Sequence, residues 1–309
     1  DLDEMYAMAR KPGFEAVPMG ITASVALVNE TENVTSRNVA AVVKGSGAPQ
    51  EYFIYTAHWD HLGTDPSMEG DNIFNGALDN ATGTAALLEI ARAFKALPQA
   101  PRRSVMFVLF GGEEMGLLGS RYFTTDSPVP LDRIALMINL DMVGHLDGKL
   151  YLQGVGSSPV WPREIERRNV PVGLPIATKA DPYLPTDVTP FYMQGVPVLN
   201  AFTGAHENYS TPRDTADTLN YDGLRDTARL MAGIARSLAR SPESPAYVAV
   251  ERQGGGMSRR HLRAYLGTIP GYGQDESVKG VKLQGAVKGG PAEAAGVQNG
   301  DVVVGLSGI

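Results

Sequence analysis

The sequence predicts an α/β fold: a mostly parallel, mixed central sheet flanked by helices, followed by a small β-rich module at the C-terminus. Three observations predict it. Uninterrupted apolar runs of strand length alternate with amphipathic helices, which is typical of a parallel sheet buried on both faces. The chain has 309 residues, enough for one large α/β domain or two domains. After about residue 240, Pro, Ser and Gly become frequent, and short alternating pieces follow between glycines.

The predicted elements alternate along the chain. The first strand is indicated by the aromatic and β-branched run YFIYTA, the next two by the apolar runs SVMFVLF and IALMINL, and a weaker one by PVLNAF. Two helices are predicted where apolar residues recur along one helical face. In chain order, the elements are a strand at 52–57, a helix at 81–97, strands at 104–110, 134–140 and 197–202, and a helix at 224–238.

Composition and charge exclude several functional classes. Hydrophobic residues make up 43% of the chain and charged residues 20%, which supports a sizeable core and excludes wholesale disorder. The 34 acidic side chains outnumber the 27 basic ones and no basic stripe stands out, so we expect no nucleic-acid partner. No apolar stretch has the length of a membrane span, and the N-terminus lacks the layout of a signal peptide. Because there is no cysteine, only His, Asp and Glu remain to bind a metal.

Imidazole and carboxylate side chains follow directly on the predicted strands. The loops beyond the carboxyl ends of parallel strands meet in one crevice, so we expect these groups to converge there. Crowded carboxylates repel one another and take up protons unless a cation neutralises them. The sequence therefore predicts a site for one or two divalent metal ions. Its candidate residues are His58 after the first strand, Asp79 before the first helix, Glu113 and Glu114 after the second strand, Asp141 after the third and His206 after the fourth.

The ligand types favour zinc, and less strongly manganese or cobalt. A carboxylate such as Asp79 can bridge two ions about 3.5–4 Å apart. In the adjacent pair of Glu113 and Glu114, one carboxylate can coordinate while its neighbour takes a proton from the attacking water. Each residue alone also has an ordinary explanation, such as a helix cap for Asp79. His61 is interpreted as a structural or exposed histidine.

Four motifs carry a family resemblance. They are AHWDHLG at 57–63, NGALDNATG at 75–83, FGGEEMGLLGS at 110–120 and NLDMVG at 139–144. In type and order they resemble the zinc exopeptidase family of aminopeptidase S, aminopeptidase Y and the glutamate carboxypeptidases. The resemblance runs from about residue 38 to residue 238, which is most of the chain.

The resemblance implies a site with two zinc ions. One ion is held by His58, Asp79 and Asp141. Asp79 bridges to a second ion, which is also held by Glu114 and a final histidine. Glu113 is then the general base. Tyr183, three residues before a Thr-Asp pair, looks like the tyrosine that donates to the tetrahedral oxyanion in some relatives; the alternative is a tyrosine that only packs.

The final histidine departs from the family pattern. In the stretch HENYSTPRD at 206–214, Ser210 stands where the resemblance leads us to expect an imidazole. A serine hydroxyl is a poor zinc ligand at neutral pH. We therefore expect either that His206, four residues upstream, replaces the missing ligand, or that the second zinc site is weak. The first alternative is preferred because the other ligand positions and the base are intact.

The C-terminal segment resembles a PDZ domain. The stretch at 265–270 looks like its carboxylate-binding loop, and those at 290–297 and 300–304 look like its helix and following strand. The resemblance implies that this module binds a peptide or protein ligand by strand addition. We expect a catalytic domain at 1–240, a linker at 241–256 and a partial PDZ-like domain at 257–309, all within a longer natural protein.

These observations predict a metal-dependent exopeptidase, and the lack of an evident arginine group for a substrate carboxylate favours an aminopeptidase that acts on peptides. One alternative is a catalytically weakened peptidase fold that serves in peptide binding through its PDZ-like module. A lower-ranked alternative is an enzyme similar to glutaminyl cyclases. By analogy with exported members of the family, we expect a periplasmic or extracellular location.

Overall fold

The computed structural model describes residues 2–9, 11, 14, 24, 27, 33–251, 266, 268–270, 279–286, 291–298 and 300–305. The strands are β1 (Val39–Val43), β2 (Ala48–His58), β3 (Gly63–Thr64), β4 (Ile73–Phe74), β5 (Arg103–Phe110), β6 (Ile134–Leu140), β7 (Leu150–Gln153), β8 (Ile176–Lys179), β9 (Val198–Phe202), β10 (Thr268–Pro270), β11 (Val281–Ala286) and β12 (Val302–Val303). The helices are α1 (Leu2–Ala9), α2 (Thr82–Lys95), α3 (Leu118–Thr125), α4 (Val160–Asn169), α5 (Val188–Tyr192), α6 (Tyr221–Arg240) and α7 (Pro291–Ala294).

Seven strands form the main sheet, in the order β1-β5-β2-β6-β9-β7-β8. The four central strands β5, β2, β6 and β9 run parallel to one another. At one edge β1 is antiparallel to β5, and on the other side β7 is antiparallel to β9 and parallel to β8. The prediction of a mostly parallel, mixed sheet is therefore confirmed.

The predicted strands and helices coincide with observed ones, and the strands of the main sheet that the sequence did not reveal are β1, β7 and β8, at or next to its edges. Four of the five residues of β1 are exposed although its sequence, VAAVV, is apolar, and β8 is only partly buried. β7 has only four residues. The strands β1, β7 and β8 have only four or five residues each, so they give a weaker sequence signal than the longer runs of β2, β5 and β6.

Helices cover both faces of the main sheet. On one face, α2 and α6 pack against the sheet through buried side chains such as Leu87, Phe94 and Ile234. On the other face, Phe123 of α3 and Phe191 of α5 contact Phe110 of β5, with ring centroids 5.7 and 6.0 Å apart from it. This double covering explains why the central strands are apolar on both sides.

A ladder of buried polar side chains crosses four strands near their functional ends. Thr56 of β2 donates to the Oδ1 of Asn139 (2.6 Å), Asn139 donates to Asn200 of β9 (3.0 Å), and Asn200 donates to Gln153 of β7 (3.1 Å). All four side chains are buried. A fully paired polar network in a low-dielectric interior holds its members in one arrangement. It therefore fixes the strands two residues before His58 and before Asp141.

The described part of the C-terminal segment forms a separate antiparallel sheet, in the order β10-β11-β12, together with α7. This agrees with the predicted β-rich character of the segment. Tyr265 and Gly267 of the predicted carboxylate-binding loop lie outside the described residues. Within the ranges given above, no helix combines the length and the apolar character needed to cross a bilayer.

Candidate metal centre

The candidate site lies at the carboxyl end of β2, where the strand order reverses. β5 lies on one side of β2 and β6 on the other, so the loops that follow these three strands diverge around His58. In open α/β sheets such a switch point is the usual ligand crevice. The His58 side chain is 1% exposed. Its Nδ1 lies 3.1 Å from the main-chain oxygen of Asp60, which leaves Nε2 to face the site.

Two carboxylates meet Nε2 of His58. The nearest oxygen of Asp79 lies 3.1 Å from this nitrogen and that of Asp141 lies 3.6 Å from it. Asp141 directly follows β6, and Asp79 lies in a distorted turn at Ala77–Ala81 that leads into α2. Backbone angles at Asp79 (φ −112°, ψ 91°) depart from a helix. The Asp79–Asn80 peptide bond is cis.

Asn80 fastens this turn to the end of β6. Its Oδ1 accepts hydrogen bonds from the amides of Gly83 (3.0 Å) and Met142 (3.1 Å), and its Nδ2 donates to the carbonyl of Leu140 (2.9 Å). A Cβ atom at Gly83 would lie 2.3 Å from the Oδ1 of Asn80, so only glycine allows this close approach. The arrangement holds Asp79 and Asp141 side by side.

The loop after β5 supplies Glu113 and Glu114, both partly buried. The amide of Glu114 donates to the Oδ2 of Asp60 (3.3 Å), which anchors the loop beside the end of β2. The Oε1 of Glu114 lies 2.7 Å from the Nδ1 of His61. Glu114 therefore faces an imidazole that the sequence did not indicate as a ligand.

Three groups of potential ligand atoms result, and the atoms within each lie no more than 4.8 Å apart. The groups are His58 with Asp79 and Asp141, His61 with Asp79 and Glu114, and His58 with Glu113 and Glu114. His58, Glu114 and Asp79 each belong to two groups, and Asp79 is the carboxylate that joins the group of His58 and Asp141 to that of His61 and Glu114.

The electrostatics of these crowded groups favour a bound cation. Burial raises the pKa of Asp79 to about 6, and burial together with the nearby Asp141 raises the pKa of Glu113 to about 10. Burial alone would lower the pKa of His58, but its contacts with Asp141, Asp60 and Asp79 raise it instead. Crowded carboxylates behave in this way when no cation neutralises them. Imidazole and carboxylate donors without sulfur fit zinc.

Comparison with known proteins identifies the family. Residues 38–235, about two thirds of the chain, match Peptidase family M28. The chain belongs to this family. It is 36% identical to mouse aminopeptidase NAALADL1 over 151 residues, which cover 46% of this chain and 19% of that protein. It is 27% identical to aminopeptidase YwaD of Bacillus subtilis over 225 residues, which cover 69% of this chain and 47% of the relative.

A solved structure of an M28-like enzyme shares the fold. The structure of BSAP, a zinc aminopeptidase from Bacillus subtilis, superposes with a TM-score of 0.56 at 26% identity, covering 65% of this chain and 49% of that one. This chain therefore spans about half the length of that enzyme, and less than a fifth of the mouse relative. The M28 match covers the main sheet and the loops that carry the site.

Five of the seven predicted site residues lie together in the structure. The five are His58, Asp79, Glu113, Glu114 and Asp141. The other two, His206 and Tyr183, are not in any of the three ligand groups in the part of the chain that the structure describes. Tyr183 packs edge-on against Tyr192 (5.1 Å between centroids), and its hydroxyl donates to the carbonyl of Val250 (3.4 Å). Its role as an oxyanion donor stays a prediction.

His206 contacts Asp214 and His145, not the carboxylates of the three ligand groups. Its Nε2 lies 3.5 Å from the Oδ1 of Asp214, its Nδ1 accepts the amide of Asn208 (3.1 Å), and its ring meets that of His145 edge-on at 5.3 Å. Asp214, which is fully buried, accepts the amides of Leu78 and of Asp79. His206 thus supports the carboxylate that holds the Asp79 turn.

Asp214 is a buried residue next to the site that the sequence did not reveal. We expect Asp214→Asn to destabilise the zinc-free protein by about 1–3 kcal/mol. Asparagine replaces one acceptor oxygen of the carboxylate by an NH2 group, and this donor would face the main-chain N–H donors and leave one of them unpaired. Zinc affinity should fall roughly 10- to 100-fold, the usual effect of disturbing a group that orients a ligand. Urea denaturation and zinc titration measure the two effects, with exposed Asp147→Asn as the control.

The same substitution should change how stability depends on pH. Burial on its own would raise the pKa of Asp214, but the contact with His206 and the two amides lower it. A lowered pKa gives stability that is present above the pKa of the unfolded chain and is lost as the pH falls through the folded-state pKa. The acid side of the stability curve should therefore be steeper in the parent than in Asp214→Asn. Equal slopes would contradict this assignment.

Proposed function

We propose that this chain is a zinc-dependent aminopeptidase that removes N-terminal residues from peptides. The observation that carries the proposal is the convergence of His58, Asp79, Asp141, Glu113 and Glu114 at the carboxyl ends of three parallel strands. Family membership supports it, since the relatives NAALADL1, YwaD and BSAP are named as aminopeptidases. As the chain spans only part of these relatives, the activity is a proposal for the protein as a whole.

The residues divide into ligands and a base. His58, Asp79 and Asp141 would hold one zinc ion, and Asp79 with Glu114 would hold a second. When bound, zinc lowers the pKa of water and polarises the scissile carbonyl, which stabilises negative charge on its oxygen. Glu113 is not needed to complete either of these two ligand sets, so its carboxylate is free to handle protons.

Glu113 would move one proton through the reaction. Its carboxylate takes a proton from the attacking water as the new carbon–oxygen bond forms. The same group then delivers the proton to the departing amine as the carbon–nitrogen bond breaks, so the protein ends in its starting state. Partial burial keeps bulk water from competing for this proton, and Glu113 lies within 4.8 Å of ligand atoms of His58 and Glu114.

Removal of metal tests the proposal. We expect hydrolysis of one or more aminoacyl-p-nitroanilides that is lost after dialysis against 1,10-phenanthroline and recovered on adding zinc, because zinc is the group proposed to polarise the scissile carbonyl. Nitroaniline release measures the rate, and a blocked N-acetyl-aminoacyl-nitroanilide is the control substrate, which an aminopeptidase should not cleave.

Two other outcomes would contradict the aminopeptidase assignment. Release of ammonia from N-terminal glutaminyl peptides without nitroaniline release would favour the alternative similar to glutaminyl cyclases. Zinc binding with neither reaction, over the whole substrate panel, would favour a peptidase fold that only binds peptides.

We also propose that the C-terminal segment is a PDZ-like module that binds a peptide by strand addition, with domain boundaries at 1–240, 241–256 and 257–309. The antiparallel order β10-β11-β12 and the position of α7 within the stretch 290–297 support this proposal. On family analogy alone we propose a periplasmic or extracellular location.

A further inference from the structure

We propose that His61 supplies the imidazole ligand of the second zinc ion, together with Asp79 and Glu114. This assignment rests on the proposed two-zinc function. It adds a third ligand to the second ion, for which that proposal names only Asp79 and Glu114. Ser210 occupies the position at which the family resemblance implies a histidine, so the second ion lacks a nitrogen ligand unless another residue provides one.

The geometry of the cluster suits a zinc ion. The Nδ1 of His61 lies 2.7 Å from the Oε1 of Glu114, and ligand atoms of His61, Glu114 and Asp79 all lie within 4.8 Å of one another. Zinc–nitrogen and zinc–oxygen bonds are about 2.0–2.2 Å long, so two ligands of one ion lie at most about 4.4 Å apart. Small side-chain movements therefore close this cluster around an ion.

The imidazole of His61 is buried without being fully paired. Its side chain is only 9% exposed, and its Nε2 has no hydrogen-bond partner among the described residues. An unpaired polar atom in such a place costs stability, so its presence needs a reason. A metal ion bound through Nε2 would supply that partner, whereas binding through Nδ1, the nitrogen beside Glu114, would leave Nε2 unpaired.

The fold builds a specific place for this ring. The short strands β3 and β4 pair Gly63 with Phe74 and return the chain, so that Gly76 lies against His61. A Cβ atom at Gly76 would come within 2.7 Å of the Cγ of His61, and the φ of 61° at Gly76 also favours glycine. The ring is thus held beside the turn that carries Asp79.

His206, the histidine that the sequence favoured, has other partners. Its Nδ1 accepts the amide of Asn208, and its Nε2, which like that of His61 has no hydrogen-bond partner among the described residues, lies 3.5 Å from an oxygen of Asp214. Asp214 accepts the amide of Asp79, so His206 is connected to this ligand only through another side chain. His61, in contrast, contacts Glu114 directly.

A matched pair of ring replacements tests the assignment. His61→Phe and His206→Phe each keep a planar ring and remove both nitrogens. Zinc-free protein is titrated with zinc, and bound metal is counted by mass spectrometry after gel filtration. We expect two ions per chain in the parent and in His206→Phe. In His61→Phe we expect one tight ion and a second bound at least 100-fold more weakly, beyond the roughly 10- to 100-fold typical of groups behind the ligands.

Each outcome decides the question. Wild-type affinity for two ions in His61→Phe, loss of the second ion in His206→Phe, or a single ion in the parent would each overturn the assignment. Circular dichroism of the zinc-free variants checks folding, and His61→Leu is measured in parallel so that the result does not depend on one replacement. Nitroanilide hydrolysis is recorded separately. If the parent is active and His61→Phe keeps two ions, this assignment fails and the proposed function stands. If His61→Phe loses the second ion but the two-zinc parent hydrolyses no nitroanilide, the assignment stands and the proposed function fails.

Discussion

Glu113→Gln is expected to lower kcat for aminoacyl-nitroanilide hydrolysis by about 10²- to 10⁴-fold, the range in which general acid–base groups contribute. Glutamine has nearly the same shape as glutamate but neither accepts nor returns a proton at neutral pH. Because Glu113 is not needed in the two ligand sets that contain Asp79, zinc content should remain at the parental value, and KM should change far less than kcat.

The control for this variant is Glu69→Gln, since Glu69 is exposed. Its kcat should equal that of the parent. If Glu113→Gln retained parental kcat, the base would have to be another group. If it lost zinc along with activity, Glu113 would be a ligand, in agreement with the group that it forms with His58 and Glu114.

Most of the site was predictable because it follows the central strands. The apolar runs of β2, β5 and β6 mark where each strand ends, and parallel strands end at the same edge of a sheet. His58, Asp141 and the two glutamates therefore come together through regular structure. Asp79 was predictable from its place shortly before the helical pattern of α2, and it lies in the turn that leads into this helix.

The remaining contacts depend on loops whose paths have no simple sequence pattern. His61 reaches Glu114 because the β3–β4 hairpin and Gly76 fix its ring, and such a hairpin of two-residue strands leaves no periodic signal. His206 is near Ser210 in sequence, but a turn in which the amide of Tyr209 bonds to its carbonyl (3.0 Å) directs its side chain to Asp214. The closeness of His206 to Ser210 in sequence therefore did not predict where its side chain points, because the path of the loop determines that.

Asp79→Asn is expected to weaken both zinc ions at once. Asp79 is 4% exposed and belongs to the group with His58 and Asp141 as well as to the group with His61 and Glu114. Removing one partner of a buried charge interaction costs about 3–5 kcal/mol, which corresponds to a loss of roughly 10²- to 10⁴-fold in affinity for each ion. Asparagine has nearly the same size as aspartate, so the main change is the loss of the negative charge.

Comparison with Asp141→Asn separates a bridging role from general damage to the site. Asp141 shares a group with His58 and Asp79 only, so its substitution should weaken one ion and leave the other at parental affinity. Exposed Asp71→Asn, in the loop before the same turn, should change neither. If Asp79→Asn and Asp141→Asn each released a single ion, Asp79 would be an ordinary ligand. If Asp79→Asn weakens both ions and Asp141→Asn weakens only one, the carboxylate of Asp79 must be a ligand of both ions.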